Sequence, residues 1–256
     1  MFVVGDIVSR KSYNNDLNFK IISIDGNIAY LVARAYRLLA DAELDDLEKE
    51  NLKVREREDK KEKIYKEGVK KFLPKVTKRY VTGKILHIDG DEEYLNKCMS
   101  LYESVGVYCN GVYVEEPQMK FHVERLIKKY RPSIVVITGH DSYDSSDIRD
   151  LRSYKNSQNF ADAVSEVRSK YSINDILVIA GACQSHFEAL IASGANYASS
   201  PKRKNIHAFD PAILAIKAAA TSFDRIINMN DVFKHSFIKK EGLGGVESFG
   251  KLRVLV

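Results

Sequence analysis

The sequence predicts an α/β protein, a mostly parallel sheet with helices on both faces, preceded by a small β-module. Two apolar runs carry that expectation. Ile134-Val135-Val136-Ile137-Thr138 leads into Gly139-His140-Asp141, and Ile176-Leu177-Val178-Ile179-Ala180 leads into Gly181-Ala182-Cys183-Gln184-Ser185. Each run is short, rich in β-branched residues and without polar alternation, the pattern of a strand buried on both faces. Between them, residues 159–171 set Phe160, Ala163, Val164 and Val167 at helical spacing. A strand–helix–strand unit crosses over right-handed and makes its two strands parallel. Their carboxyl ends then share one edge, where open α/β sheets place their sites.

The remaining elements follow in chain order. Residues 1–40 alternate apolar and polar in short bursts, with turn chemistry at Asn14-Asn15-Asp16 and Asp25-Gly26-Asn27. They predict an SH3-like β-barrel, which either docks a partner or shields the main sheet. Residues 41–79 carry 13 basic and 11 acidic side chains in 39 positions, with the signs interleaved. That stretch reads as a charged helical linker, ended near Pro74, whose Arg and Lys residues also offer points for self-cleavage. Residues 80–256 form the α/β domain. Residues 83–91 are its first strand, with an acidic tip, followed by a helix over 92–105 and a strand over 107–114. Pro117 opens a helix bearing Met119, Val123, Leu126 and Ile127. After the Cys183 strand come a helix over 187–193 stopped by Gly194, a short last strand over 206–209 and a helix over 212–221. The apolar tail, residues 252–256, reads as an edge strand.

Composition narrows the class. The chain has 256 residues, 45% hydrophobic and 29% charged, ordinary values for a soluble protein. A net charge of +5 is too mild to argue for nucleic acid as a partner. Cys98, Cys109 and Cys183 are scattered and odd in number, which fits a reducing compartment and gives no metal-ligand spacing, so no cofactor is expected. No apolar run reaches membrane-spanning length, and residues 1–10 lack a signal-peptide pattern. Synthesis in the cytosol is the expectation.

The chemistry concentrates at the two strand ends. A buried Cys is ordinarily a small hydrophobe, but Cys183 stands at a strand-to-helix junction, where backbone N–H groups can lower a thiol pKa and bind an oxyanion. His140 ends the neighbouring strand. A thiol beside an imidazole is the minimal machinery of nucleophilic acyl transfer. The 43 residues from His140 to Cys183 approach the roughly 50 of the caspase arrangement, whose Gln-Ala-Cys-[Arg/Gln/Gly]-Gly signature is met at Ala182, Cys183 and Gln184 and missed at Gly181 and Ser185.

This constellation resembles the caspase-like cysteine peptidases, among them gingipains, clostripain and legumain. A fuller resemblance, spanning nearly the whole chain, is to the YabG sporulation peptidase family. It is carried by residues 4–13, Gly139-His140-Asp141, Gly181-Ala182-Cys183-Gln184-Ser185, Tyr197-Ala198-Ser199-Ser200-Pro201 and Ile206-His207-Ala208. The resemblance implies a caspase-like peptidase domain over 80–256 and a protease of spore coat and germination proteins, acting in the mother cell and spore coat of a sporulating bacterium. It implies backbone N–H groups of Asp141 and Cys183 as oxyanion donors; Asp141 stands where Gly is common in the wider group. That group builds part of the pocket for the residue before the cut from the first strand's end. Here that end offers Asp89 and Asp91, which favours cutting after Arg or Lys. Asp141, Asp144 and Asp147 are rival pocket acids, and Ser145-Ser146 opens a polar stretch that reads as a rim over the cleft. Two other readings stay open. A nucleophile elbow of the amidotransferase-like hydrolases would pair Cys183 with His186, His207 or His235. A non-enzymatic adaptor would bind coat proteins or nucleic acid through the β-module and Lys202-Arg203-Lys204.

Overall fold

The two apolar runs are neighbouring strands at the centre of a sheet. The computed structural model describes residues 1–74, 79–144, 146–237 and 239–255. Its first part holds β1 (Ile7–Arg10), β2 (Phe19–Asp25), β3 (Ile28–Ala33), β4 (Leu39–Glu43) and β5 (Leu47–Lys49), followed by α1 (Leu52–Val69). Then come β6 (Tyr80–Val81), β7 (Ile85–Asp89), α2 (Glu92–Ser104), β8 (Cys109–Tyr113), α3 (Met119–Tyr130), β9 (Ile134–Thr138), α4 (Ser157–Arg168) and β10 (Leu177–Ala180). The chain closes with α5 (Phe187–Ala192), β11 (Tyr197–Ser199), α6 (Asp210–Ala220), α7 (Met229–His235), β12 (Leu243–Gly245) and β13 (Arg253–Val254).

β7 to β12 form one six-stranded sheet in the order β12-β11-β10-β9-β7-β8. It is parallel from β8 to β11, and only β12 runs antiparallel. Every residue of β7, β9 and β10 is buried, which is why these strands lack alternation. One face carries α2, α6 and α7, with Leu101, Tyr102, Ile213 and Val232 packed on Ile85, Ile134 and Ile179. The other carries α3, α4 and α5, with Val123, Phe160 and Leu190 against Ile88, Val135 and Val178. Successive side chains of a strand point to opposite faces, so both layers draw on the same β-branched runs.

β1 to β5 form a separate antiparallel sheet in the order β4-β3-β2-β1-β5. Its apolar face clusters Val8, Phe19, Ile21, Leu31 and Leu47 together with Leu38, Cys183 and Ile206. The module therefore lies over the Cys183 edge of the large sheet.

Three elements depart from the sequence reading. Residues 39–43 and 47–49 are strands joined by a short 3-10 turn over 44–46, and the long helix begins only at Leu52, because Leu47 turns inward to complete the small core while its charged neighbours stay in water. Residues 206–209 add no strand to the main sheet; Tyr36 makes an isolated antiparallel bridge to His207 instead. The tail pairs with β6 as a two-stranded ribbon, while the main sheet's edge is the glycine-rich β12, which has no β-propensity signal. A Cβ at Gly245 would stand 2.2 Å from the Asn196 carbonyl oxygen, so glycine is what lets β12 approach β11. Val256 of the expected tail strand and Ser145 of the expected rim lie outside the described residues. Among the described residues no helix is long and apolar enough to cross a membrane.

Gly245→Ala should destabilise the chain by about 1–3 kcal/mol through overpacking, read as a lower midpoint in urea unfolding; an unchanged midpoint would contradict this packing.

Candidate active site

β9 and β10 bring the two expected residues to one level. Ile137 pairs with Ala180, so His140 and Cys183 each lie three residues past a paired position on neighbouring parallel strands. Both strands end in glycine for steric reasons. A Cβ on Gly139 would meet Glu116 Oε1 at 2.4 Å, and that oxygen accepts the His140 N–H at 2.9 Å. Gly181 sits at φ +102°, where a side chain is strained, and turns the chain toward Cys183.

The His140 imidazole is buried, with Nε2 2.7 Å from Asp91 Oδ2. Asp91 is itself fixed as the N-cap of α2, its Oδ1 accepting the Tyr94 N–H at 2.8 Å. Burial works against the Asp91 carboxylate, but His140 and the Tyr94 N–H outweigh it and hold its pKa below the ordinary value. A carboxylate accepts and cannot donate, so it selects the tautomer protonated on Nε2 and leaves Nδ1 as the basic nitrogen. Nδ1 makes no hydrogen bond among the described residues.

Cys183 is wholly buried. The Ile206 N–H donates to its Sγ at 3.2 Å, and Sγ lies 3.4 Å from the Ile206 carbonyl oxygen. Burial pushes the thiol pKa above its ordinary value, the direction that disfavours the thiolate.

The acidic residues have four different placements. Asp89 is fully buried and forms a two-pronged pair with Arg37, Nη1 to Oδ1 at 2.9 Å and Nη2 to Oδ2 at 2.7 Å. Burial opposes both charges, yet each partner outweighs it, holding the Asp89 carboxyl well below and the Arg37 guanidinium above their ordinary pKa values. Asp91 is engaged with His140. Asp141 points inward, accepting from Asn156 N–H, Ser142 N–H, Ser157 Oγ and Ser185 Oγ. Ser185 Oγ also accepts the Ala182 N–H at 2.9 Å, so Asp141 ties the His140 loop to the Cys183 loop. Burial still raises its pKa despite those four bonds. Asp144 and Asp147 are exposed, each accepting a backbone N–H two residues on, from Ser146 and Arg149.

The downstream histidines are occupied elsewhere. His186 Nδ1 caps α5 by accepting the Ala189 N–H, and its Nε2 lies 3.2 Å from the Arg149 carbonyl oxygen. His207 stacks on Phe237 with ring centroids 3.5 Å apart, and burial lowers its pKa to about 4. His235 packs edge-on to Phe72. Among the described residues no cluster of three or more His, Cys, Asp or Glu could hold a metal ion.

Arg37, Glu116 and the His140 partnership of Asp91 were not legible in the sequence. Arg37 stands in an unremarked Ala-Tyr-Arg-Leu stretch, and only the fold reveals that it is buried 52 positions from its partner. The Asp91-Glu92-Glu93 run signals a helix start, but not which histidine the cap would face.

The family model described as YabG peptidase U57 matches residues 3–256. The sporulation-specific protease YabG of Bacillus subtilis (strain 168) is 41% identical over 281 aligned residues, covering 99% of this chain and 97% of the relative. No solved structure matches.

Breaking a fully buried ion pair from one side leaves an uncompensated charge, so Arg37→Ala should cost about 3–5 kcal/mol in urea unfolding, and Arg37→Leu with Asp89→Asn markedly less. Because the Asp89 pKa is depressed on folding, the pair's contribution is present above the unfolded value of about 3.9 and fades as pH falls through the lower folded value. Wild type should therefore lose stability in acid more steeply than the double variant. Equal slopes below about pH 4 would count against the pair.

Proposed function

The chain belongs to the YabG peptidase U57 family, and on that premise we propose that it is a cysteine endopeptidase in which His140 and Cys183 form the catalytic dyad. Membership makes the chain a peptidase of sporulation. One observation carries the finer reading. His140 is held through Nε2 by Asp91, with Nδ1 unpartnered among the described residues, on the same sheet edge and at the same level as Cys183. The same order, with the His after one central parallel strand and the Cys after the next, supports a caspase-like peptidase domain over residues 80–256. The five-stranded antiparallel sheet supports an SH3-like module ahead of it, and the charged α1 acts as the connection.

The mechanism follows from the tautomer. His140 Nδ1 takes the proton from Cys183 Sγ as the sulfur forms its bond to the scissile carbonyl carbon. The oxygen becomes an oxyanion, with the Asp141 and Cys183 backbone N–H groups as its donors. As the C–N bond breaks, His140 returns the proton to the leaving amine. Water, deprotonated by the same nitrogen, then cleaves the thioester and restores the thiol. Asp91 touches no reacting atom; it positions the imidazole and stabilises the imidazolium that forms between the two proton transfers, as the carboxylate of a triad does.

Specificity follows from Asp89. A carboxylate at the end of β7 that forms a two-pronged pair with a guanidinium is a built receptor for arginine, and the planar fork fits it better than an ammonium does. Cleavage after Arg, with Lys second, is the reading. Substrates among spore coat and germination proteins follow from the family resemblance.

A peptide library varied at one position, read by mass spectrometry, tests these assignments. Cleavage after Arg should vanish in Cys183→Ala and fall by at least about 100-fold in His140→Ala. Asp91→Asn should lower kcat by about 100-fold with KM little changed and shift the pH profile, as loss of an orienting carboxylate does. Asp89→Asn should lower kcat/KM for Arg peptides by about 100-fold and narrow their advantage over neutral ones. Cleavage lost in Cys183→Ala but intact in His140→Ala would move the base downstream and overturn the dyad.

A further inference from the structure

The loop that joins β3 to β4 crosses from the module onto the carboxyl edge of the parallel sheet and lies against Cys183. Its main chain runs antiparallel to residues 206–208. The Arg37 N–H donates to the Ile206 carbonyl oxygen at 3.1 Å, and the Ala208 N–H donates to the Ala35 carbonyl oxygen at 3.0 Å. Tyr36 bridges His207 between them. Alternate main-chain bonds of this kind are how an extended peptide adds itself as a strand. Ile206 is shared with the thiol, since its N–H donates to Cys183 Sγ. On the far side Leu38 forms a parallel bridge to Asp141, the residue after His140. The Arg37–Leu38 peptide bond thus lies between the loop that carries His140 and the 206–208 segment that holds the Cys183 thiol, and Leu38 shares an apolar cluster with Cys183. The Arg37 side chain enters the sheet edge, reaching Asp89, with the Ala208 carbonyl oxygen at 3.3 Å and the Gly139 carbonyl oxygen at 3.5 Å.

We propose that residues 35–38 occupy the substrate groove in the register of a bound substrate, with Arg37 in the place of the residue before the cut, and that this segment holds the site closed. The inference rests on the peptidase reading and extends it in two ways. First, the occupant describes the ligand class, an extended segment with a small residue, an aromatic residue and an arginine in succession. Second, the occupant is an inhibitor built into the chain. Arg37 and Asp89 are both wholly buried, so no external arginine reaches Asp89 until Arg37 leaves, and Cys183 is covered by Leu38 and the module's apolar face. An intramolecular competitor acts at an effective concentration of roughly millimolar or more. The loop is also pinned from the peptidase side, because the Tyr94 hydroxyl lies within hydrogen-bond reach of the Ala33 and Tyr36 carbonyl oxygens, with one proton to share between them, and Lys97 Nζ donates to that of Arg34. Release of the module as a unit, by a partner that binds it or by loss of these contacts, would open the groove.

Iodoacetamide alkylation of Cys183, mapped by mass spectrometry on the full chain, tests the closure without requiring catalysis. Wild-type Cys183 should react at least 100-fold more slowly than free cysteine, and Arg37→Ala should react at least tenfold faster than wild type. The double variant Arg37→Leu with Asp89→Asn leaves no orphaned buried carboxylate, and it carries the test if Arg37→Ala does not fold. Rapid labelling of folded wild type, or a thiol equally protected in a folded variant, overturns the proposal. So does a wild-type chain recovered cut after Arg37, which makes the segment a self-substrate instead of an inhibitor. With an Ala-Tyr-Arg peptide as substrate, Arg37→Ala should turn over at least tenfold faster than wild type. An unmasked thiol that cleaves nothing would leave the closure standing and sink the peptidase reading.

Discussion

The Arg37–Asp89 pair is the interaction on which the rest of the arrangement depends. It links residues far apart in the chain, one beside the antiparallel module and one at the end of β7, and it stands wholly out of water. Two charges so buried need further hydrogen bonds beyond their own pairing. On the carboxylate side a polar chain through the core supplies them: Thr138 Oγ1 donates to Asp89 Oδ2 at 3.0 Å and lies 2.8 Å from His87 Nε2, whose Nδ1 lies 3.0 Å from the Tyr102 hydroxyl; Arg37 Nε makes no hydrogen bond among the described residues. Buried polar chains of this kind stabilise little on balance but fix one geometry. Here the geometry fixed is the position of the module over Cys183.

The strand ends divide their duties by which way each side chain leaves the sheet. Asp89 points to the arginine, Asp91 two residues on reaches His140, and Asp141 turns back to Ser157 and Ser185. Three carboxylates that look alike in sequence thus face an arginine, an imidazole and a pair of serine hydroxyls. Burial pushes up the pKa of each, and only those facing a cation or an imidazole are brought down. Through Ser185, Asp141 joins the loops of His140 and Cys183 without involving either side chain.

Much of the fold was legible because burial on both faces leaves a strong mark. The runs at 134–138 and 176–180, the helix between them and the amphipathic face of Met119, Val123, Leu126 and Ile127 all lie where the pattern put them. What escaped was held by backbone and not by side-chain pattern. β12 is Leu243-Gly244-Gly245, with no β-branched residue, and it pairs because glycine allows the approach. β4 and β5 sit in the most charged stretch of the chain, where only a few inward apolar residues, Ala40, Ala42, Leu44 and Leu47, tie them to the small core.

By itself the sequence determined the parallel strands, the shared edge, and the placing of His140 and Cys183 at that edge, because local periodicity and strand-end motifs are short-range information. The tertiary structure alone decided what each group faces. That Arg37 fills the place beside Asp89, that Asp91 belongs to the imidazole, and that the thiol is closed under Leu38 and Ile206 are all contacts between residues far apart in the chain. No periodicity encodes such contacts; they exist only once the module is laid on the sheet and water is expelled from between them.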